Sequence, residues 1–488
     1  MTLRGKVSRG VFWEGGAMLV NRGVGFLVSL VLARLLAPEF FGLLAIAMLA
    51  INSLVFLQEL GFSSALIYRQ SDVDAAANTA HWTVIASSVM LYLAAFILAP
   101  LVAQFFRNPD VTPVLRVLAL TIVISSVSRV PYTLLFKELD FRKKVIPEFV
   151  GSLVGNLCAV LLAVAGWNIW ALVAGELINS SVTTIVMFIV SPWRPKLQFE
   201  MKLFRELFGY GKHVAASQVL IFGVTNVDDL FVGRMLGDAA LGYYGMAYSI
   251  SNTPATNITR LVTRVTFPAF SQMQTNAARM RNAYFEVMHR VALVAMPIAI
   301  VTIVFARDFV TVLLTDKWAP AIVPMQILAI YGLIRSIAAN MGIIFQSGGK
   351  PQWLSSIALW RLITMTALLY PAIRWGGLIG VCVLSVAVAV VDFAISAHMV
   401  NKIVEARSAT YVRLLTPLFV YSLVAAGIGY GAEQVLLSLN TWAVAALAIA
   451  GVIVVAVYGL LLWWRDQQVR TEGTKLLVWL KNSRSQRA

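Results

Sequence analysis

LVLARLLAPEFFGLLAIA, residues 30–47, recurs at an offset of 200 as LFVGRMLGDAALGYYGMA, residues 230–247. Leu30 aligns with Leu230, Arg34 with Arg234, Leu36 with Leu236, Gly42 with Gly242 and Ala47 with Ala247. Each copy closes one apolar run and opens the next, the first across the turn signal Pro38-Glu39. A weaker match at offset 210 joins Leu118-Ala119 to Leu328-Ala329 and Ser126 to Ser336. The chain therefore reads as one unit built twice.

Around these stretches, apolar runs lie near 11–37, 41–57, 81–103, 114–136, 146–165, 169–190, 214–236, 240–263, 291–310, 321–346, 353–373, 377–400, 411–430 and 442–464. Each approaches the ~20 residues needed to cross a hydrocarbon core about 30 Å thick. The expected fold is an all-α polytopic membrane protein with about fourteen transmembrane helices. An N-terminal lobe, 1–200, holds spans 1–6, and a C-terminal lobe, 201–405, holds spans 7–12. Residues 406–488 add two further helices and a basic tail. Because six is even, both halves enter from the same side, so the repeat is parallel with its axis along the membrane normal. Transporters built this way bind substrate between the halves and alternate access by rocking them. Residues 201–208 and 475–481 alternate apolar and charged faces at helical spacing and are expected to lie as helices on the inner leaflet.

Composition agrees. Of 488 residues, 59% are hydrophobic and 13% charged, against roughly 25% charged in soluble domains. Mean hydropathy is +0.80. A soluble enzyme, a disordered chain and a secreted disulfide scaffold are excluded. The net charge of +16 would suggest nucleic acid in a soluble protein, but its placement points to topology. With the N-terminus inside, 27 of the 39 Lys and Arg fall in inner connections and tails, five in outer ones and seven within spans. This is a strong positive-inside pattern, and both termini are expected in the cytoplasm. Cys158 and Cys382 lie in apolar runs and read as buried small hydrophobes.

Ionisable groups inside spans are costly and mark function by default. Arg34 and Arg234 lie near outer helix ends, where snorkelling or capping explains them. Arg22 lies mid-span, suited either to a cavity or to an ion pair with Asp229 or Glu176. Arg129, Arg260 and Arg335 join it as candidate anion ligands. Their guanidinium forks suit a pyrophosphate. Asn252 and Thr256 belong to a polar stripe on span 8, which Pro254 is expected to kink. Asn226 and Asn340 extend the polar lining. Asp228, Asp229, Glu176 and Asp392 are candidates for charge balance or for coupling to H+ or Na+. No phosphate-binding loop, dinucleotide fingerprint, HExxH or CxxC occurs, and neither a metal nor an organic cofactor is expected.

Gly61-Phe62-Ser63-Ser64-Ala65-Leu66-Ile67, Asn78-Thr79-Ala80-His81-Trp82, Phe136-Lys137-Glu138-Leu139-Asp140-Phe141 and Phe267-Pro268-Ala269-Phe270-Ser271 resemble motifs of one family. This is the polysaccharide-transporter branch (Wzx-type oligosaccharide flippases, of the colanic-acid and teichuronic-acid exporter kind) of the multidrug/oligosaccharidyl-lipid/polysaccharide flippase superfamily. The resemblance covers roughly residues 1–410. It implies a bacterial inner-membrane protein with two six-helix lobes in a V shape, as in multidrug exporters of the same superfamily. It also implies outward flipping of undecaprenyl-pyrophosphate-linked oligosaccharide for exopolysaccharide, capsule or O-antigen synthesis. Pathway partners would be a polymerase and chain-length proteins, and an arginine in span 1 would be matched by Arg22. The competing readings are an ion-coupled drug exporter on the same fold and a membrane polysaccharide polymerase or glycosyltransferase. The arginine excess disfavours the first; short outer loops without paired acids disfavour the second.

Topology is directly testable. A fluorescent protein fused after Ala488 should fluoresce and alkaline phosphatase at the same point should be inactive. The opposite pair of results overturns the inward assignment.

Overall fold

The computed structural model describes the backbone over residues 3–58, 61–273, 276–466 and 470. Side chains are described over the same set except 3–15, 17–19, 56–57, 212–220, 224, 253–265 and 267–269. Every long regular element among the described residues is helical: α1 Leu3–Leu35, α2 Pro38–Gln58, α3 Phe62–Tyr68, α4 Val73–Phe106, α5 Val111–Leu118, α6 Leu120–Lys137, α7 Phe141–Val164, α8 Ile169–Val190, α9 Met201–Leu236, α10 Asp238–Ser271, α11 Ala277–Phe309, α12 Ile322–Ser347, α13 Gln352–Val404, α14 Ala409–Ser438 and α15 Ala443–Arg465. Ten segments among the described residues are long and apolar enough to span a bilayer. The 53-residue α13 is two helices joined across Gly377, whose φ of 55° is non-helical. The described chain divides into two compact units: Met1–Gly245 with Leu369–Leu378, and Met246–Leu368 with Ile379–Ala488.

The repeated stretch has a direct structural meaning within the first unit. A Cβ on Gly42 would lie 1.7 Å from the Asp238 carbonyl oxygen, and one on Gly242 would lie 2.1 Å from that of Pro38. Positions 38 and 42 of one copy thus meet positions 242 and 238 of the other, reciprocally. The starts of α2 and α10 touch backbone to backbone, and only glycine permits it. Small residues serve this purpose in membranes, where apolar side chains gain little by leaving lipid. The pair α7–α8 uses the same device: Gly155 packs with its missing Cβ 2.7 Å from the Gly175 carbonyl and the Asn179 Cβ. The offset-210 matches share their burial. Leu118, Ala119 and Ser126 are fully buried, as are Leu328, Ala329 and Ser336.

The family-like motifs form a clasp at the end of the first unit that the charge pattern assigns to the cytoplasm. Lys137 Nζ donates to the carbonyls of Leu66, at 3.0 Å, and of Arg69, capping the C-terminus of α3 with a cation. Asp140 accepts from the Lys143 amide at 3.2 Å and starts α7. Buried Asn78 and Thr79 accept from the amides of Lys196 and Glu200, at 2.8 and 3.2 Å. Trp82 Nε1 donates to the Lys196 carbonyl at 2.8 Å. The non-helical connection 191–200 is thereby pinned to α4, its backbone groups satisfied by side chains.

Several boundaries differ from the sequence expectation. The connections expected at 58–80 and 264–290 are largely helical, because α4, α10 and α11 run past the length that hydropathy alone marks. Residues 201–208 do not form a separate helix. They are the opening of α9, with Leu203 and Leu207 buried against Phe62, Leu66 and Ala80. Arg69 pairs with Glu206 at 2.8 Å and holds that carboxyl below its ordinary range. Residues 475–481 and the Pro254 side chain lie outside the described set.

Helix α15 is apolar all round up to its closing Arg465. On α15, Ala446, Ala450, Val454, Tyr458 and Leu462 are buried at every fourth position, while Val452, Val455 and Leu460 are exposed. In water such exposure would drive association; in lipid it is the solvated face.

Replacing Gly42 or Gly242 by Ala should each lower detergent-solubilised stability by about 1–3 kcal/mol, because the backbones must separate. The double variant should lose less than the sum, since one separation serves both. Thermal unfolding of the three variants measures this, and strict additivity would remove the reciprocal contact.

Candidate functional site

In the second unit the polar centre lies between α10 and α12. Gly332 has no side chain, so the Ser251 carbonyl approaches to 2.7 Å of where its Cβ would be, and Asn252 Oδ1 to 3.3 Å. Close approach brings polar groups of both helices together inside an apolar bundle. Ser251 Oγ donates to the Met325 carbonyl at 2.9 Å, and Ser336 Oγ to that of Gly332 at 2.9 Å. Asn252 and Asn340 are each 1% exposed. The Asn340 amide finds no hydrogen-bond partner among the described residues. An amide buried that way is costly unless something polar reaches it.

Arg335 stands one turn beyond Gly332. Its Nη1 donates to the hydroxyls of Tyr248, at 3.2 Å, and Tyr331, at 3.4 Å. The guanidinium carbon lies 5.6 Å from the Tyr331 ring centroid, and the two tyrosine rings are 6.3 Å apart. Two phenols from two helices therefore orient a guanidinium within a membrane-spanning segment. The arrangement can present a planar cation and phenolic hydroxyls to a phosphate or a sugar.

In the first unit, Asp228 Oδ2 accepts from the buried Tyr244 hydroxyl at 2.6 Å, tying α9 to α10 across the turn at Gly237. Asp229 is half-buried beside it. Asn226 Nδ2 donates to the Phe222 carbonyl at 2.9 Å and to Thr225 Oγ1 at 2.8 Å. Arg129 in α6 and Glu176 in α8 are half-buried, and Arg22 is exposed on α1 with no ion pair among the described residues. The side chains of Arg260 and Thr256 lie outside the described set.

Asp392 pairs with Arg361 and accepts from Ser396 Oγ at 3.4 Å, so its charge partner is an arginine outside the four cavity candidates. Their meeting follows from the turn at Gly377: Arg361 lies sixteen residues before it and Asp392 fifteen after, at matching heights on antiparallel arms. That spacing was readable. The i, i+4 relation of Tyr331 to Arg335 was also readable. Nothing in the sequence brings Tyr248 to Arg335.

Comparison with known proteins follows the same lines. The profile of a family described as polysaccharide biosynthesis protein matches residues 31–323. The lipopolysaccharide biosynthesis protein WzxC of Escherichia coli (strain K12) is 27% identical over 383 residues, covering 77% of this chain and 76% of that one. The teichuronic acid biosynthesis protein TuaB of Bacillus subtilis (strain 168) is 24% identical, over 76% of this chain and 78% of its own. Among solved structures, the lipid II flippase MurJ in an inward closed conformation superposes with TM-score 0.71 at 12% identity, covering 93% of this chain and 99% of that one. An inward-facing multidrug resistance MATE family transporter gives TM-score 0.60 at 16% identity, covering 79% and 96%. These structural likenesses establish a shared all-helical fold.

Removing the hydroxyl that meets Asp228, as Tyr244→Phe, should cost about 1–3 kcal/mol. Adding Asp228→Asn should recover part of the loss, since an amide is cheaper to leave poorly bonded than a carboxylate. Detergent melting curves of both variants test this, and an unchanged melting temperature for Tyr244→Phe contradicts it.

Proposed function

This chain belongs to the polysaccharide biosynthesis protein family, and on that premise we propose that it flips undecaprenyl-pyrophosphate-linked oligosaccharide units outward across a bacterial inner membrane. It is a multi-pass membrane transporter of the multidrug/oligosaccharidyl-lipid/polysaccharide superfamily and not an enzyme. In the proposed cycle, two lobes of six helices each, with two further helices, expose a cationic path alternately to each side. Fourteen spans and cytoplasmic termini belong to the same proposal.

The observation that carries this reading is arginine kept inside membrane-spanning segments, Arg129 in α6 and Arg335 in α12. A charge at mid-bilayer costs about 2.5–3.5 kcal/mol on insertion scales. A lipid-linked pyrophosphate gives that charge a purpose: its oxygens accept the guanidinium fork while its polyprenyl chain stays in lipid. Arg22 and Arg260 complete the proposed pyrophosphate set, and Asn226, Asn252, Thr256 and Asn340 the sugar-facing lining. Asp228, Asp229 and Glu176 are the proposed carriers of a coupling H+ or Na+, with Asp392 balancing charge. A polymerase and chain-length proteins are the proposed partners downstream.

With membrane levels matched, Arg335→Ala should reduce exported polysaccharide at least about tenfold, and Arg335→Lys should retain a part because charge survives without the fork. Export assayed in a strain lacking the native gene decides the matter. Full export by Arg335→Ala, or raised drug susceptibility as the only phenotype, would overturn the reading.

A further inference from the structure

A second cationic site lies in the first unit, at the opposite helix ends from the motif clasp. A cavity of about 540 Å³ is lined by Arg107, Arg234 and Arg374 together with Phe105, Phe231 and Tyr370. Three elements bring the arginines together. Arg107 ends α4 in a left-handed conformation, φ 57°, its amide bonded back to Ala103 and Gln104. Arg234 sits in the last turn of α9, its guanidinium carbon 5.4 Å from the Phe105 ring centroid. Arg374 lies just before the Gly377 turn of α13.

Helix-end capping explains one cation per helix terminus. It does not explain three converging on one cavity whose lining holds no carboxylate. Among the described residues, none of the three is ion-paired. Topology sharpens the point. Basic residues are scarce on the outer side, five of 39, and two of those five, Arg107 and Arg374, are here. Like charges held together in a partly apolar pocket repel, and an anion relieves that. The rest of the lining says which kind. Phe105 is 44% and Tyr370 57% exposed, and both belong to helices long and apolar enough to span a bilayer. A soluble anion needs no such apolar wall, whereas a lipid phosphate presents charge and chain together.

We propose that Arg107, Arg234 and Arg374 form a binding site for a lipid phosphate in the outer leaflet. The phosphate belongs either to a resident anionic phospholipid or to a polyprenyl pyrophosphate on the exit side. The site stands whether or not the transported molecule is the one proposed above.

The test uses the full chain in phosphatidylcholine nanodiscs doped with phosphatidylglycerol or with undecaprenyl pyrophosphate, read by native mass spectrometry of retained lipid. Wild type should retain at least one of the two. Arg107→Gln/Arg234→Gln/Arg374→Gln should retain it at least about tenfold less, and the matching triple Lys variant most of it. Arg116→Gln, an outer arginine that instead bonds the Phe96 carbonyl, should behave as wild type. The dopant that is retained identifies the source of the phosphate. Equal retention by the triple Gln variant overturns the site. Full displacement by millimolar inorganic phosphate overturns its assignment to lipid. Should the triple Gln variant fail to fold, the three single Gln variants replace it, each expected to lose retention while melting as wild type.

Discussion

The reciprocal contact of Gly42 with Asp238 and of Gly242 with Pro38 is what the remaining architecture hangs on. Helices in lipid gain almost nothing by hiding leucines from one another, so close backbone approach has to supply the attraction through packing and carbonyl dipoles. A side chain at either glycine would hold the first turns of α2 and α10 apart. The same logic recurs at Gly155 against α8 and at Gly332 against α10. Where glycine lets two helices meet, polar groups follow: Asn252 and Ser251 enter the bundle beside Gly332. Small residues thus decide where the membrane interior can be polar.

Charge is handled by a second economy. At the clasp end of the first unit, Lys137 caps α3 with a cation, and the neutral side chains of Asn78, Thr79 and Trp82 pin 191–200. Inside spans, three of the described charges are oriented by tyrosine hydroxyls or by an opposite charge: Arg335 by Tyr248 and Tyr331, Asp228 by Tyr244, Asp392 by Arg361. At the opposite helix ends of the first unit, three arginines gather at one cavity. Basic residues therefore take three roles: Lys137 caps a helix, Arg335 sits between two tyrosines, and Arg107, Arg234 and Arg374 share a cavity.

Much of this was legible. The helical class, the membrane environment and the repeat follow from composition, run length and the offset of 200, because lipid leaves a spanning chain few ways to satisfy its backbone. Arg335, Asp228 and Asn340 stood out because polar residues in apolar runs are conspicuous. Their partners did not, because Tyr244 and Tyr248 look like ordinary aromatic residues of a helix. The family-like motifs of the first unit act as structural clasps. Helices run longer than hydropathy alone marks, since a helix continues wherever its amphipathic face finds a surface, as α9 does through Leu203 and Leu207.

By itself, the sequence determined the helical, membrane-spanning fold class, since that depends on hydrophobicity and periodicity along the chain. Only the tertiary structure decided which repeat positions touch, which hydroxyls hold Arg335, that Asp392 answers Arg361, and that Arg107, Arg234 and Arg374 share one cavity. Those facts depend on distances between residues far apart in sequence. Helix rotation and close approach set such distances, and no local pattern encodes them.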